Sequence, residues 1–204
     1  MDVRESLLKA AVAVYADAGV RGATTRRIAQ EAGVNEVTLF RHFKTKDELL
    51  DAALAHFARN VTTLDLPADP VDPHAELVAW CKTHHRELYK IRALIRRSMG
   101  EYEQHPGHCQ HGMQASVRIA AELSRYLLRL KARRLAAPDF DERVATNMLM
   151  GAIFADAMGR DTMPERYPYS MRDAIDQYVT LLLRAIGATA SAPAALTTST
   201  RKGR

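Results

Sequence analysis

The side chains best placed to do chemistry lie in residues 24–50, TTRRIAQEAGVNEVTLFRHFKTKDELL. Thr24, Asn35 and Thr45 each stand where a side-chain oxygen can accept from the first unpaired N–H groups of a helix. Two short helices are therefore expected, Thr25 to Ala32 and a second running to about His42. Another opens after Thr45, with Glu48 at capping-box spacing. Gly33 can take a positive φ where the chain reverses between the two short helices. Ile28, Ala32, Val34, Leu39 and Phe43 supply apolar anchors, and Ala29 is small enough to let the helices approach closely. The second short helix cannot be stable alone. Its free face carries Glu36, Thr38, Arg41 and His42, and a short polar-faced helix held by its neighbours suits the major groove of double-stranded DNA. Residues 21–46 hold Arg21, Arg26, Arg27, Arg41, Lys44 and Lys46 against Glu31 and Glu36 alone, a local positive surface of the kind a nucleic acid needs.

Other candidate chemistry is thinner. His105, His108, Cys109 and His111 could bring some metal ligands together. Pro106, Gly107 and Gly112 place them in a loop, 105–111, and no second ligand pair lies at zinc-motif spacing. A solvated loop is expected and no metal site is assigned, with a metal-responsive protein using this loop as the alternative reading. There is no Gly-rich phosphate loop, nucleophile elbow or His-Glu metal helix, so no catalytic residue, no cofactor and no enzymatic activity are expected.

The elements that must position these residues read as helix almost throughout, and the fold class is all-α. Asp2 can cap a first helix with the stripe Leu8, Ala11, Val12 and Tyr15, stopped at Gly19. The helix capped by Thr45 runs through Leu49, Leu50, Ala53, Leu54 and Phe57 to about Thr63. Three prolines, Pro67, Pro70 and Pro73, then break the chain, and Asp72-Pro73 restarts a helix. Further helices are expected over about 73–88, 90–103, 112–135, 141–159 and 171–187. The division is 1–46 as a DNA-binding unit, 47–63 as a connecting helix, 72–187 as a larger helical domain, and 188–204 as a disordered tail poor in bulky apolar residues. The 204 residues carry 29 basic and 24 acidic side chains, a net charge of +5. The start, MDVRESLLKA, is charged and lacks an apolar stretch. No apolar run could span a bilayer and two cysteines cannot make a disulfide framework, so a cytoplasmic location is expected.

The stretch 24–50 strongly resembles the TetR family of bacterial transcriptional regulators. The resemblance is carried by Thr25, Ile28 (slightly displaced within the usual spacing), Ala29, Ala32, Gly33, Val34, Thr38, Leu39, His42, Phe43, Lys46 and Leu49. It implies a three-helix DNA-binding domain followed by a ligand-binding and dimerisation domain. It also implies that Thr25 and Lys46, at the starts of helices, bind phosphate, and that His42 meets phosphate or sugar. Arg26 and Phe40 join this surface, and Asn35, Glu36, Val37, Thr38 and Arg41 lie nearest base edges. Phe40 stands where Tyr is usual, Glu36 where Lys, Arg or a small residue is common, and Val37 where Gly or Ala is usual. The implied function is a ligand-responsive regulator, most simply a repressor. It would bind a pseudo-palindromic operator as a homodimer and leave it when a small molecule binds and the fourth helix moves.

In the larger domain, 144–159 contains one charged residue, Asp156, and so must be covered on more than one side. Met148, Ala152 and Ala155 there, with the stripe Ile175, Val179, Leu182 and Ile186, are the candidate dimer interface. Trp80, His84, Met99, Tyr102, Met113, Tyr126, Met148, Phe154 and Asp156 are candidate ligand contacts, Asp156 because an acid in an apolar helix needs a partner. Arg118, Glu122, Arg125, Arg129 and Arg133 are expected on a solvent face, as are Arg92, Arg96 and Arg97.

Overall fold

The computed structural model describes residues 2–60, 64–105 and 107–188, without the side chains of His108 and Cys109. The expected disorder of the tail concerns residues that, from 189 on, lie outside the described ones, as does the expected end of the connecting helix at Thr63. Among the described residues the chain is helical: α1 Val3–Gly22, α2 Thr25–Glu31, α3 Glu36–His42, α4 Lys46–Arg59, α5 Pro73–Lys90, α6 Arg92–Gly100, α7 Gly107–Ala132, α8 Glu142–Gly159 and α9 Met171–Ala185, with a short 3-10 turn at Pro164–Arg166.

The caps explain the boundaries. Thr24 Oγ1 accepts from Arg27 N at 3.3 Å, Asn35 Oδ1 from Thr38 N at 2.8 Å, Thr45 Oγ1 from Glu48 N at 3.1 Å and Asp72 Oδ1 from Ala75 N at 3.0 Å. Glu48 reaches back one residue further than a capping box would, taking Lys44 N at 2.9 Å. Gly33 has φ +72° and lets Val34 N turn back onto Ala29 O at 2.9 Å. Gly19 does not end α1 outright. It kinks it, with φ +69°, and one more turn follows to Gly22.

Two apolar cores result. Leu7, Leu8, Ala11 and Tyr15 of α1 enclose Ile28 and Ala29 of α2, Leu39 and Phe43 at α3, and Leu49, Leu50, Ala53 and Leu54 of α4. Among the described residues, Leu94 of α6 is the one buried member of this core that comes from outside α1–α4 and their junctions. The second core joins Leu77, Trp80 and Cys81 of α5, Leu123, Tyr126, Leu127 and Leu130 of α7, Leu149 and Ile153 of α8, and Ile175, Val179 and Leu182 of α9.

Two expectations change here. Ile175, Val179, Leu182 and Ile186 are buried inside the protomer, so the apolar stripe of α9 is core and not a surface for a mate. It faces inward because α5 and α8 present apolar sides to it, which the sequence of α9 cannot reveal. Residues 107–111 are not a loop either. α7 begins at Gly107 and passes through His108, Cys109, His111 and Gly112, because the long apolar face further along the helix outweighs the low propensity of its glycines. The side chains of His108 and Cys109 lie outside the described residues.

Burial leaves one core group sensitive to pH. His84 is 5% exposed, its ring 4.1 Å from that of Trp80, and burial pushes its pKa down from 6.5 to about 4 despite the nearby Glu87. The unfolded chain takes up this proton below 6.5 whereas the folded one resists it until about 4. Stability is therefore fully present above pH 6.5 and falls through that window on acidification, by on the order of 3 kcal/mol if no rearrangement intervenes. Urea unfolding midpoints between pH 7 and 4.5 should decline in the parent chain, and His84→Gln should remove most of that slope while lowering stability at pH 7. An unchanged slope would show that His84 is not its source.

Candidate nucleic-acid interface

α3 has seven residues and is held from behind by Leu39 and Phe43, both essentially inaccessible. Its outward side is unusual for so short a helix. Val37 is 71% exposed and Phe40 50%, with Arg41 and His42 exposed beside them. Exposed apolar atoms on a helix rimmed by basic groups can meet thymine methyls and sugars, and Arg41 can read guanine. Arg26 is exposed at the start of α2.

Several polar groups expected at this surface already have partners. Asn35 Oδ1 takes both the N–H and the hydroxyl of Thr38, at 2.8 and 2.9 Å, so Asn35 is first of all a helix cap. Thr25 Oγ1 donates to Glu36 Oε1 at 2.7 Å, tying the start of α2 to the start of α3. The Glu36 carboxylate thus occupies the hydroxyl that the family resemblance assigns to a DNA phosphate. Lys46, half-buried, donates from Nζ to Val20 O at 2.9 Å, at the kinked end of α1. An ammonium has three donors, so this bond leaves two for a phosphate. Arg27 pairs with Asp17 at 2.6 Å in the open, a contact worth little by itself.

The candidate ligand residues do not converge. Trp80, Tyr126 and Asp156 are fully buried and His84 nearly so, whereas Met99, Tyr102, Met113 and Met148 are exposed and Phe154 is half-buried. Of these, Tyr102 and Met113 alone meet in an open groove, about 670 Å³ in volume, with Gln110, Gln114, Val117 and Arg118. Asp156 has found its partners within the chain. His85 Nε2 lies at 2.7 Å, Arg160 Nε and Nη2 at 2.9 and 2.6 Å, and Tyr178 OH at 3.1 Å. Burial acts to raise its pKa, but the hydrogen bonds from Arg160 and His85 outweigh it and hold the carboxyl below its ordinary value. The cation that its sequence context calls for is Arg160 and not a ligand.

The expectation of a solvent face is revised for Arg92, Arg96, Arg97, Glu122 and Arg129. Arg92 and Arg96 hold Asp161, whose carboxyl they keep well below the usual range. Arg97 Nη2 donates to Asp17 O at 3.0 Å. Glu122 accepts from Leu66 N at 2.8 Å, and Arg129 lies over the ring of Tyr126. His111 Nε2 is 2.9 Å from Asp51 Oδ1 on α4. Cys81 is buried, and its pKa is pushed up by that burial, which keeps it a thiol. Sequence reasoning took Gly19 only as a helix stop and passed over Val20 and Glu101, which meet across 81 residues of chain. The only sequence signal was the glycine.

A three-helix unit presenting a short exposed helix, joined to a larger helical body, defines a helix-turn-helix protein. Residues 7–53 match the TetR_N model, described as bacterial regulatory proteins, tetR family. An HTH-type transcriptional repressor of Mycobacterium tuberculosis is 35% identical over 85 residues, 38% of this chain and 45% of the relative. The class D tetracycline repressor of Escherichia coli is 38% identical over 65 residues, 32% of this chain and 30% of the repressor. The matches thus span less than half the length of these curated relatives. Among solved structures, a TetR-family regulator from Mesorhizobium loti superposes with a TM-score of 0.75 at 19% identity, covering 91% of this chain and 97% of that one. FadR from Bacillus subtilis, in complex with stearoyl-CoA, gives 0.62 at 18% identity, covering 89% and 98%. At such identities the structures show the fold alone. The family model and the relatives agree that the N-terminal part of the chain is similar to TetR-family transcriptional regulators, and the solved structures share its fold. Among the described residues no helix is long and apolar enough to cross a membrane.

The contact between Thr25 and Glu36 generates a prediction. Glu36→Gln removes a negative charge from the surface that would face DNA and weakens the grip on Thr25. Its affinity for duplex of arbitrary sequence at low salt, read by fluorescence anisotropy, should rise about three- to tenfold. Equal or weaker binding would show that Glu36 does not compete with phosphate.

Proposed function

We propose that the protein is a ligand-responsive, sequence-specific DNA-binding repressor. It binds a pseudo-palindromic operator as a homodimer, in the cytoplasm where the chromosome is, and is released by a small molecule. The observation that carries this is α3. A seven-residue helix pinned by Leu39 and Phe43 turns Val37, Phe40 and Arg41 outward, beside the helix starts that hold Thr25 and Lys46. Among the described residues nothing packs over this face, and it suits a major groove in size and chemistry. In this reading Thr25, Arg26, His42 and Lys46 position the backbone while Glu36, Val37, Thr38, Phe40 and Arg41 face the bases. The repressor names of the M. tuberculosis and tetracycline relatives support the sign of regulation. The division into a DNA-binding unit at 1–46, a connecting helix and a ligand-binding domain at 72–187 belongs to the same proposal.

The mate is placed on α8 and the outer side of α9. Val144 and Met148 are 56% and 62% exposed, Gly151 and Ala155 continue the strip, and Leu181 of α9 is 60% exposed. Small residues between apolar ones let two helices approach closely, and a twofold mate would cover the strip. Met148 and Ala155 stay in the proposed interface, Ala152 is half-buried at its edge, and Leu181 replaces the inward stripe of α9.

The deciding experiment is selection from a random duplex pool. A twofold-symmetric consensus is expected. No enrichment by folded protein at low salt would overturn the reading. Met148→Asp should raise the dimer dissociation constant by about tenfold or more in sedimentation, and weaken binding of the selected duplex with it. Lys46→Ala should weaken all duplexes alike and lower the salt slope by about 0.9 for each phosphate that is no longer neutralised. A weakening confined to certain base pairs would assign Lys46 to base reading instead.

A further inference from the structure

α6 belongs to both halves of the molecule. Its Leu94 is buried in the core of α1–α4, while Arg92 and Arg96 hold Asp161, two residues past the end of α8. Its C-terminal end meets the kink of α1. Gly19 there has φ +69°, a backbone conformation that favours glycine, and a Cβ at this position would push the Glu101 carboxylate aside. Beyond it, Val20 N donates to both Glu101 oxygens, at 3.3 and 3.4 Å. Its carbonyl accepts from Lys46 Nζ at 2.9 Å. Val20 thus carries a carboxylate from the larger half on its N–H and an ammonium from α4 on its C=O. Arg97 Nη2 on Asp17 O and Tyr15 OH on Ser98 Oγ, at 3.0 and 3.4 Å, flank the joint.

We propose that Glu101 is a positioning residue that transmits the state of the larger half to Lys46 through Val20, an inference that rests on the DNA-binding reading above. With Glu101 on the Val20 N–H, the last turn of α1 is fixed and the Val20 carbonyl holds the Lys46 ammonium at the start of α4, with two donors left for a phosphate. When α6 shifts and withdraws the carboxylate, the last turn of α1 loses its outside support, since a kinked helix end needs partners for the backbone groups its ladder no longer serves. Lys46 then loses its seat. The route runs from α6 to the end of α1, and reaches α4 only through a side chain. It needs no displacement of α4 as a body.

Two measurements test this with the full chain. In the free protein, hydrogen exchange at the Val20 amide should quicken about tenfold in Glu101→Ala and less in Glu101→Gln, which keeps the shape and removes the charge. In duplex binding across a salt series, using the selected sequence, Glu101→Ala should lose affinity and salt slope nearly as Lys46→Ala does. The double variant should bind no worse than Lys46→Ala alone, because both changes remove the same phosphate interaction. A general packing defect would instead leave the slope as in the parent chain and add to the Lys46 effect. Unchanged Val20 exchange, a parental slope in Glu101→Ala, or additivity in the double variant would each overturn the proposal. A parent chain that retains no duplex would remove the DNA-binding reading and the role given to Lys46, while the exchange result would still report whether the joint exists.

Discussion

A helix of seven residues has no stability of its own in water, because the cost of starting a helix is not recovered over so few hydrogen bonds. α3 exists because Leu39 and Phe43 are driven into a core built by α1, α2 and α4, and because Asn35 accepts from the Thr38 N–H in its first turn. Everything its outer face presents depends on that anchoring. The burial of two side chains fixes the rotation of the helix about its own axis, and so decides that Val37, Phe40 and Arg41 face outward while Leu39 does not. A surface mounted in this way is rigid although its backbone is short.

The same logic of partnered groups runs through the larger half. Asp156 is the one charged residue of the stretch 144–159, and a buried carboxylate is tolerated only where several donors converge on it. His85, Arg160 and Tyr178 come from three different places in the chain to do so. Asp161 performs a similar service at the surface, binding Arg92 and Arg96 so that α6 is tied to the end of α8. These ties, with Leu94 in the first core, make α6 the bridge between the two cores. The bridge meets the α1–α4 unit at Gly19 and Val20, where the helical ladder is interrupted and outside partners are needed.

Much of this was legible in the residues alone. Caps, glycine turns and apolar spacing have local causes, and these located α2, α3 and the start of α4 to within a residue, with the helix-turn-helix face that they present. The acid in α8 announced that it needed a partner. The limits of local reasoning are equally specific. The stripe Ile175, Val179, Leu182 and Ile186 shows that α9 has an apolar side but not whether it faces its own chain or a mate. Spacing is identical in the two cases, and only the positions of α5 and α8 separate them. The glycines near 107 suggested a loop because propensity is weak against packing further along α7.

Sequence by itself determined the helical class, the resemblance of the N-terminal stretch to the TetR family and the short exposed helix, because each follows from interactions within a few residues or from a pattern of types in order. Only the tertiary structure decided which polar groups remain available. Thr25 is engaged by Glu36, Asn35 by Thr38, Lys46 by Val20 and Asp156 by Arg160 and His85. Hydrogen bonds form between groups brought together by the packing of apolar faces, often from distant parts of the chain. A linear sequence records the donors and acceptors but not the distances between them.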